Sequence, residues 1–417
     1  MSQINISNLK ARASRLFIAI GAALLLSMIM NFNFVSKSII SPLAKDSHIE
    51  SVQAKHKTYE IFGFAPYWTI NKLENVDFDV LTTFAYFGIP VKANGTLDTS
   101  DTGYQVFKSS RATTLFEKAH SHGTKVVLTL TQMNNSTIKG FLDDKNAQKK
   151  AITEAVRLVK ERGIDGLNID FEYTGNPGRE YKDKFSSFVA LAKKKLSQEI
   201  PGSRLSVSVY ASSAKAPKMY DIAAISKSSD SIFMMAYDFA TAGADVVIPT
   251  APLYGYREGK YWYDIATAVE DFLKVMPAEK LILGLPWYGY NYPVSSPGVK
   301  VARYQGYSYY YWWGRRRYRA YYRPPASAQT YANAINNIEE DASGWDDYGK
   351  VGWKAYKEGG IWRMIFLDDS KSLKIKYQFA KEKNLAGVGM WALGFDDGKH
   401  ELWNLLNLEF GNMLARK

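Results

Sequence analysis

From Tyr59 onward, short β-rich runs alternate with helical patterns until eight runs have accumulated. The runs are YEIFGFAPYW (59–68), VLTTFAYFG (80–88), KVVLTLT (125–131), IDGLNIDFEY (164–173), RLSVSVYA (204–211), SIFMMAYD (231–238), LILGLPWYGY (281–290) and GVGMWAL (387–393). Between them lie stretches such as AQKKAITEAVRLVKERG and KDKFSSFVALAKKKLSQ, in which apolar residues recur three or four apart. Parallel strands need a crossover of about a helix's length, so this alternation predicts an α/β fold with a parallel sheet. Eight such units predict a (β/α)8 TIM barrel. An open, doubly wound sheet is the alternative, because periodicity does not reveal closure.

One gap in the alternation is too long for a barrel loop. Residues 291–369 separate the seventh run from the eighth, and this stretch predicts a small α+β insertion walling one side of a cleft. Within it, VGWKAYKEGGIWRMIFLDD (351–369) reads as two strands about Glu358-Gly359-Gly360. The piece YQGYSYYYWWGRRRYRAYYRPP (304–325) has three readings: stacking on sugar rings, binding a membrane surface, or packing on the barrel.

The N-terminus has its own pattern. Lys10, Arg12 and Arg15 form a basic segment (1–15) ahead of the apolar run Leu16 to Val35, which is long enough to span a bilayer core. Positive charge on that side predicts export of the rest of the chain. Near the run's end the closest match to a cleavage site, SPLA, carries Pro42, so a retained membrane anchor is expected over a cleaved signal. Residues 36–57 read as a polar tether, and 58–417 as the barrel domain with its insertion.

Composition narrows the chemistry. With no cysteine there are no disulfides or thiolate metal sites. The five histidines form no His-Glu-x-x-His, and neither a nucleophile elbow nor a phosphate-binding glycine loop is present. A net charge of +12 suits an anionic envelope surface or plain solubility. Nucleic acid is not expected as a partner, because the basic residues are scattered rather than striped.

The fourth run is chemically the odd one. In GIDGLNIDFEY, Leu167, Ile169 and Phe171 point one way, while Asn168, Asp170 and Glu172 point the other. Carboxylates in an apolar strand are costly unless paired or used. Three uses are open: a hard-cation site built from Asp165, Asn168, Asp170 and Glu172, a structural polar network, or acid/base work on a sugar. Close like charge raises one carboxyl's pKa, which would leave Glu172 a proton donor near neutrality.

IDGLNIDFE resembles the strand-four motif of glycoside hydrolase family 18, the chitinase family, of the form Asp-x-x-Asp-x-Asp-x-Glu. MAYD (235–238), LILGLPWYGY (281–290) and the Trp391 of GVGMWAL are similar to the family's sixth-, seventh- and eighth-strand elements, in the same order. The resemblance covers the chain from about Tyr59. It implies a retaining, substrate-assisted mechanism without metal or organic cofactor. By the same resemblance Glu172 is the general acid and base, Asp170 holds the substrate acetamido N–H, and Tyr237 binds the acetamido oxygen. Trp391 forms the floor beneath that sugar, with Asp238, Met235 and Asn168 as further substrate contacts. Two departures stand out: Asn168 replaces an Asp common in the family, and VVLTLTQMNN lacks its third-strand Ser-x-Gly-Gly. Asp165 is expected to be structural. The expected function is an exported glycosidase acting on β-1,4-linked N-acetylglucosamine glycans, whether chitin oligosaccharides or wall glycan. A non-catalytic carbohydrate-binding protein on the same barrel is the alternative.

Overall fold

The computed structural model describes residues 58–337 and 340–411. The first seven runs become β1 (Glu60–Pro66), β2 (Thr83–Pro90), β3 (Lys125–Gln132), β4 (Gly166–Phe171), β5 (Arg204–Tyr210), β6 (Ser231–Met235) and β7 (Leu281–Pro286). An insertion then supplies β8 (Tyr288–Val294), β9 (Tyr307–Trp313), β10 (Arg316–Tyr322) and β11 (Ser327–Thr330). It continues with β12 (Ala342–Asp346), β13 (Val351–Glu358) and β14 (Ile361–Leu367), after which β15 (Gly387–Trp391) completes the barrel. The closed order is β1-β15-β7-β6-β5-β4-β3-β2, and every neighbouring pair is parallel. Closure decides against the open doubly wound sheet.

Local chemistry explains how the units form. The helix Lys145–Arg162 starts where the Asp144 carboxylate accepts the N–H groups of Asn146 and Ala147, and it ends at Gly163, whose φ is 61°. Its Ala147, Ala151, Ile152, Ala155, Val156 and Val159 are buried on the barrel side. β4 alternates as expected. Outward-facing Phe171 lies nearly parallel to Phe188 of helix Glu180–Glu199, with ring centres 5.7 Å apart. The barrel interior is filled by Phe62, Phe64, Phe87, Val127, Phe233 and Ile282. Gly284 and Gly389 flank the ring of Phe233, where an added Cβ would sit 2.2 and 2.4 Å from it.

All eight runs end at least one residue away from the sequence expectation, and the two largest differences shape the cleft. The seventh splits at Trp287 between two sheets: Pro286 has no N–H to continue the ladder, and Trp287 donates its N–H to the Trp391 carbonyl. The sixth stops at Met235, and Asp238 beyond it adopts a left-handed φ of 59°. The insertion therefore begins at Tyr288 rather than Asn291. It forms a five-stranded antiparallel sheet, β11-β8-β14-β13-β12, with helix Tyr331–Asn337 beside it. The expected hairpin about Gly359-Gly360 is β13–β14, paired from Glu358–Ile361 to Gly352–Leu367.

The segment 304–325 does not pack on the barrel. β9 and β10 pair only with each other, as a ribbon exposed on both faces, and Trp312 and Trp313 near its tip are 69% and 75% exposed. With no core beneath them, the rings pack on one another: Tyr311 lies on Tyr318 at 5.7 Å, Tyr307 meets Tyr322 at 5.6 Å, and Arg317 covers Tyr310 at 3.9 Å. The root is tied down by the Arg323–Asp245 ion pair and by Arg303 donating to the Ala242 carbonyl.

The expected anchor 16–35 and tether 36–57 lie outside the described residues. Among the described residues, no helix is long and apolar enough to cross a membrane.

Candidate active site

In a (β/α)8 barrel the ends of the parallel strands converge on one face, so polar side chains at several strand ends share one cleft. Here the cleft holds about 730 Å3 and is lined by Asp170, Glu172, Tyr210, Met235, Tyr237, Asp238, Tyr288, Tyr290 and Trp391, among others. Asp170 belongs to β4, and Glu172 follows one residue past its end. Strand alternation puts both carboxyls on the inner side, and Glu172 is fixed at the rim by donating its N–H to the Gln132 carbonyl.

The two carboxyls sit in different surroundings. Asp170 is 3% exposed, and its buried Oδ1 has no hydrogen-bond partner among the described residues. Burial, and then the charge of Glu172, push its pKa well above the ordinary carboxylate range. Glu172 is half-buried, and burial raises its pKa too. The Tyr210 hydroxyl, donating to it, pulls the value partly back, while the charge of Asp238 raises it and that of Lys218 lowers it. Burial thus favours the neutral form of both carboxyls, and below Glu172 the Oδ1 of Asp170 is left open to a donor.

Around this pair the walls are aromatic. Trp391 lies edge-on to Phe87 at 4.7 Å and against Phe64 at 5.5 Å, presenting an apolar floor. The Tyr237 phenol is held neutral by burial and by the charges of Asp170, Glu172 and Asp238, which all raise its pKa. Asp238 accepts from the hydroxyls of Tyr288 and, at 3.0 Å, Tyr290, so it organises the insertion's edge of the cleft. Met235, the last residue of β6, lines the wall.

Asn168 is the correction. It was expected at the substrate, but it is fully buried and absent from the cleft lining. Two residues earlier on the same face of β4, it lies one layer deeper than Asp170. There its Oδ1 accepts from Ser206 at 2.8 Å and its Nδ2 donates to Ser208 at 3.1 Å. Asp165 lies at the opposite end of the barrel, where it accepts the Val126 N–H and pairs with Lys125 and His120. The four oxygen donors of a cation site thus do not converge, and among the described residues no cluster of three or more His, Cys, Asp or Glu could hold a metal ion.

Sequence reading missed Tyr210, Tyr288, Tyr290 and Lys218. The first was detectable: Ser206, Ser208 and Tyr210 form the polar face of the fifth run, as Asn168, Asp170 and Glu172 do in the fourth. Tyr288 and Tyr290 alternate across Gly289, but their direction depends on the break at Trp287. Lys218 comes from a loop and carries no periodic signal.

The model of "Glycosyl hydrolases family 18" matches residues 45–396. The chain belongs to that family. The endochitinase of Manduca sexta is 26% identical over 276 residues, which are 63% of this chain and 48% of that protein. The match thus spans about half the length of that relative. A Group IV chitinase of Ostrinia furnacalis, solved with allosamidin, superposes with a TM-score of 0.70 at 21% identity, covering 86% of this chain and all of that one. The spore cortex-lytic enzyme of Bacillus cereus superposes with a TM-score of 0.63 at 19% identity, covering 87% of this chain and 76% of the other. At such identities the superpositions speak for the fold.

Proposed function

We propose that this chain is a retaining glycoside hydrolase that cleaves β-1,4-linked N-acetylglucosamine-containing glycans, with the substrate's own acetamido group as nucleophile. One observation carries the reading: Asp170 and Glu172, both with raised pKa, lie at one strand end over the Trp391 floor, and Asp170 Oδ1 has no partner. Glu172 donates its proton to the glycosidic oxygen as the bond breaks. The acetamido oxygen attacks the anomeric carbon from the other side. Asp170 accepts the acetamido N–H, which supplies its missing partner and, as charge develops, stabilises the cationic ring. Tyr237 directs its hydroxyl to the acetamido oxygen. Glu172, now a carboxylate, takes the proton of the incoming water, and the anomeric configuration is retained. Relatives described as endochitinase and chitinase, at the similarities given above, support this substrate class. The spore cortex-lytic relative brings wall glycan into the same class.

The test is a digest of purified protein with chitooligosaccharides and with peptidoglycan, read by mass spectrometry. Wild type should release shorter N-acetylhexosamine oligomers, and Glu172→Gln should be slower by about 10²–10⁴-fold. Near wild-type turnover in that variant would remove Glu172 from the role. An aryl β-glucoside, lacking the acetamido group, should be inert where the matching N-acetylglucosaminide is cleaved. The same reading sets the barrel outside the cell membrane with 16–35 as its anchor, supported by the basic flank and the length of that run. Cell fractionation tests it, and a soluble mature protein starting near Lys45 would count against the anchor.

A further inference from the structure

Among the described residues, Lys218 has no ion-pair partner inside the cleft. It lies in the loop after β5, half-buried, and lines the cavity with the catalytic carboxyls. Its ammonium sits 3.9 Å over the ring of Tyr210, the residue that donates to Glu172. Each neighbouring carboxylate is otherwise engaged: Asp238 by the phenols of Tyr288 and Tyr290, Glu172 by Tyr210. Among the described residues, none of the salt bridges includes Lys218. Its backbone is left-handed, with φ at 52°, a conformation that costs a lysine energy. Burial of the amine adds a second cost, visible as a lowered pKa. A half-buried cation in a strained loop, facing a glycan site, calls for an anion that arrives with the ligand.

We propose that Lys218 pairs with a carboxylate carried by the glycan beside Glu172, so that the preferred substrate is an N-acetylhexosamine chain with acid-bearing residues rather than a neutral homopolymer. The inference rests on the glycosidase reading above and narrows its substrate. The ammonium stays over Tyr210 in the empty cleft and turns to the carboxylate when a sugar displaces water. A neutral chain forms the same contacts with Trp391, Asp170 and Tyr237 but leaves Lys218 unpaired.

The experiment compares the full-length protein with Lys218→Met and Lys218→Arg on two soluble oligomers of equal length. One is all N-acetylglucosamine, and the other alternates N-acetylglucosamine with its 3-O-lactyl ether. The quantity read is the ratio of kcat/KM on the acidic oligomer to that on the neutral one. Lys218→Met should lower this ratio by about 10–100-fold, mainly through KM, as loss of a charged hydrogen bond does. Lys218→Arg should restore it to within a few-fold. An unchanged ratio in Lys218→Met, even with a displaced pH profile, would overturn the proposal and leave Lys218 as an electrostatic neighbour of Glu172. Wild-type preference for the neutral oligomer would overturn it as well. If wild type cleaves neither oligomer, the glycosidase reading falls. The ratio of dissociation constants, measured in the Glu172→Gln background with and without Lys218→Met, then decides the carboxylate contact independently.

Discussion

Tyr210 shows how one hydroxyl sets a working pH. Its O–H donates to Glu172 and so favours the ionised acid, against the burial that favours the neutral one. In the proposed mechanism Glu172 must be protonated to act on the glycosidic oxygen, so activity is expected to fall as pH rises through its pKa. Tyr210→Phe keeps the ring under Lys218 and removes only the donor. The pKa of Glu172 should then rise further, and the basic limb of the pH–rate profile should move to higher pH. A profile of kcat/KM on a soluble chitobioside checks this, and a limb that stays or moves down would show that the bond does not form in solution. Asn168 is instructive in the opposite direction. Its place in the motif suggested a neighbour for Asp170, but the side chain is spent on Ser206 and Ser208. Strand alternation told which face it takes and was silent about depth within the barrel.

At the scale of elements, the barrel depends on fitting large rings between opposed strands. Phe233 of β6 is accommodated because β7 and β15 carry Gly284 and Gly389 where its ring passes. Gly284→Ala would force Phe233 off its position and should destabilise the fold by about 1–3 kcal/mol. Chemical denaturation measures it, and an unchanged midpoint would mean that the interior relaxes freely. Neither glycine stood out in the sequence, since the clash involves strands far apart in the chain. By contrast all eight barrel strands were legible, because a parallel strand buried on both sides leaves a dense apolar run between helical patterns. What the runs did not disclose was where β7 hands over to β8. That break depends on Pro286 meeting Trp391 across the sheet, a pairing between residues more than a hundred positions apart.

The whole molecule combines a net charge of +12 with one feature that lies outside any core, the β9–β10 ribbon. Residues 304–325 carry ten aromatic side chains, five arginines and no carboxylate. A lone two-stranded sheet has little stability of its own and offers unpaired edges to any similar ribbon. The arginines oppose such a meeting between two molecules, but only over the reach of an unscreened charge. That reach is about 10 Å at 0.1 M salt and about 3 Å at 1 M. The colloidal behaviour should therefore run opposite to that of a protein held together by ion pairs: dispersed in dilute salt, associating in concentrated salt. Removal of 307–322, joining Gly306 to Arg323, should abolish the dependence and leave the barrel's unfolding midpoint nearly unchanged. Light scattering over a salt series compares the two proteins. Equal particle mass at every salt concentration in wild type would show that the ribbon's rings satisfy one another, and that its arginines are not what keeps copies of the molecule apart.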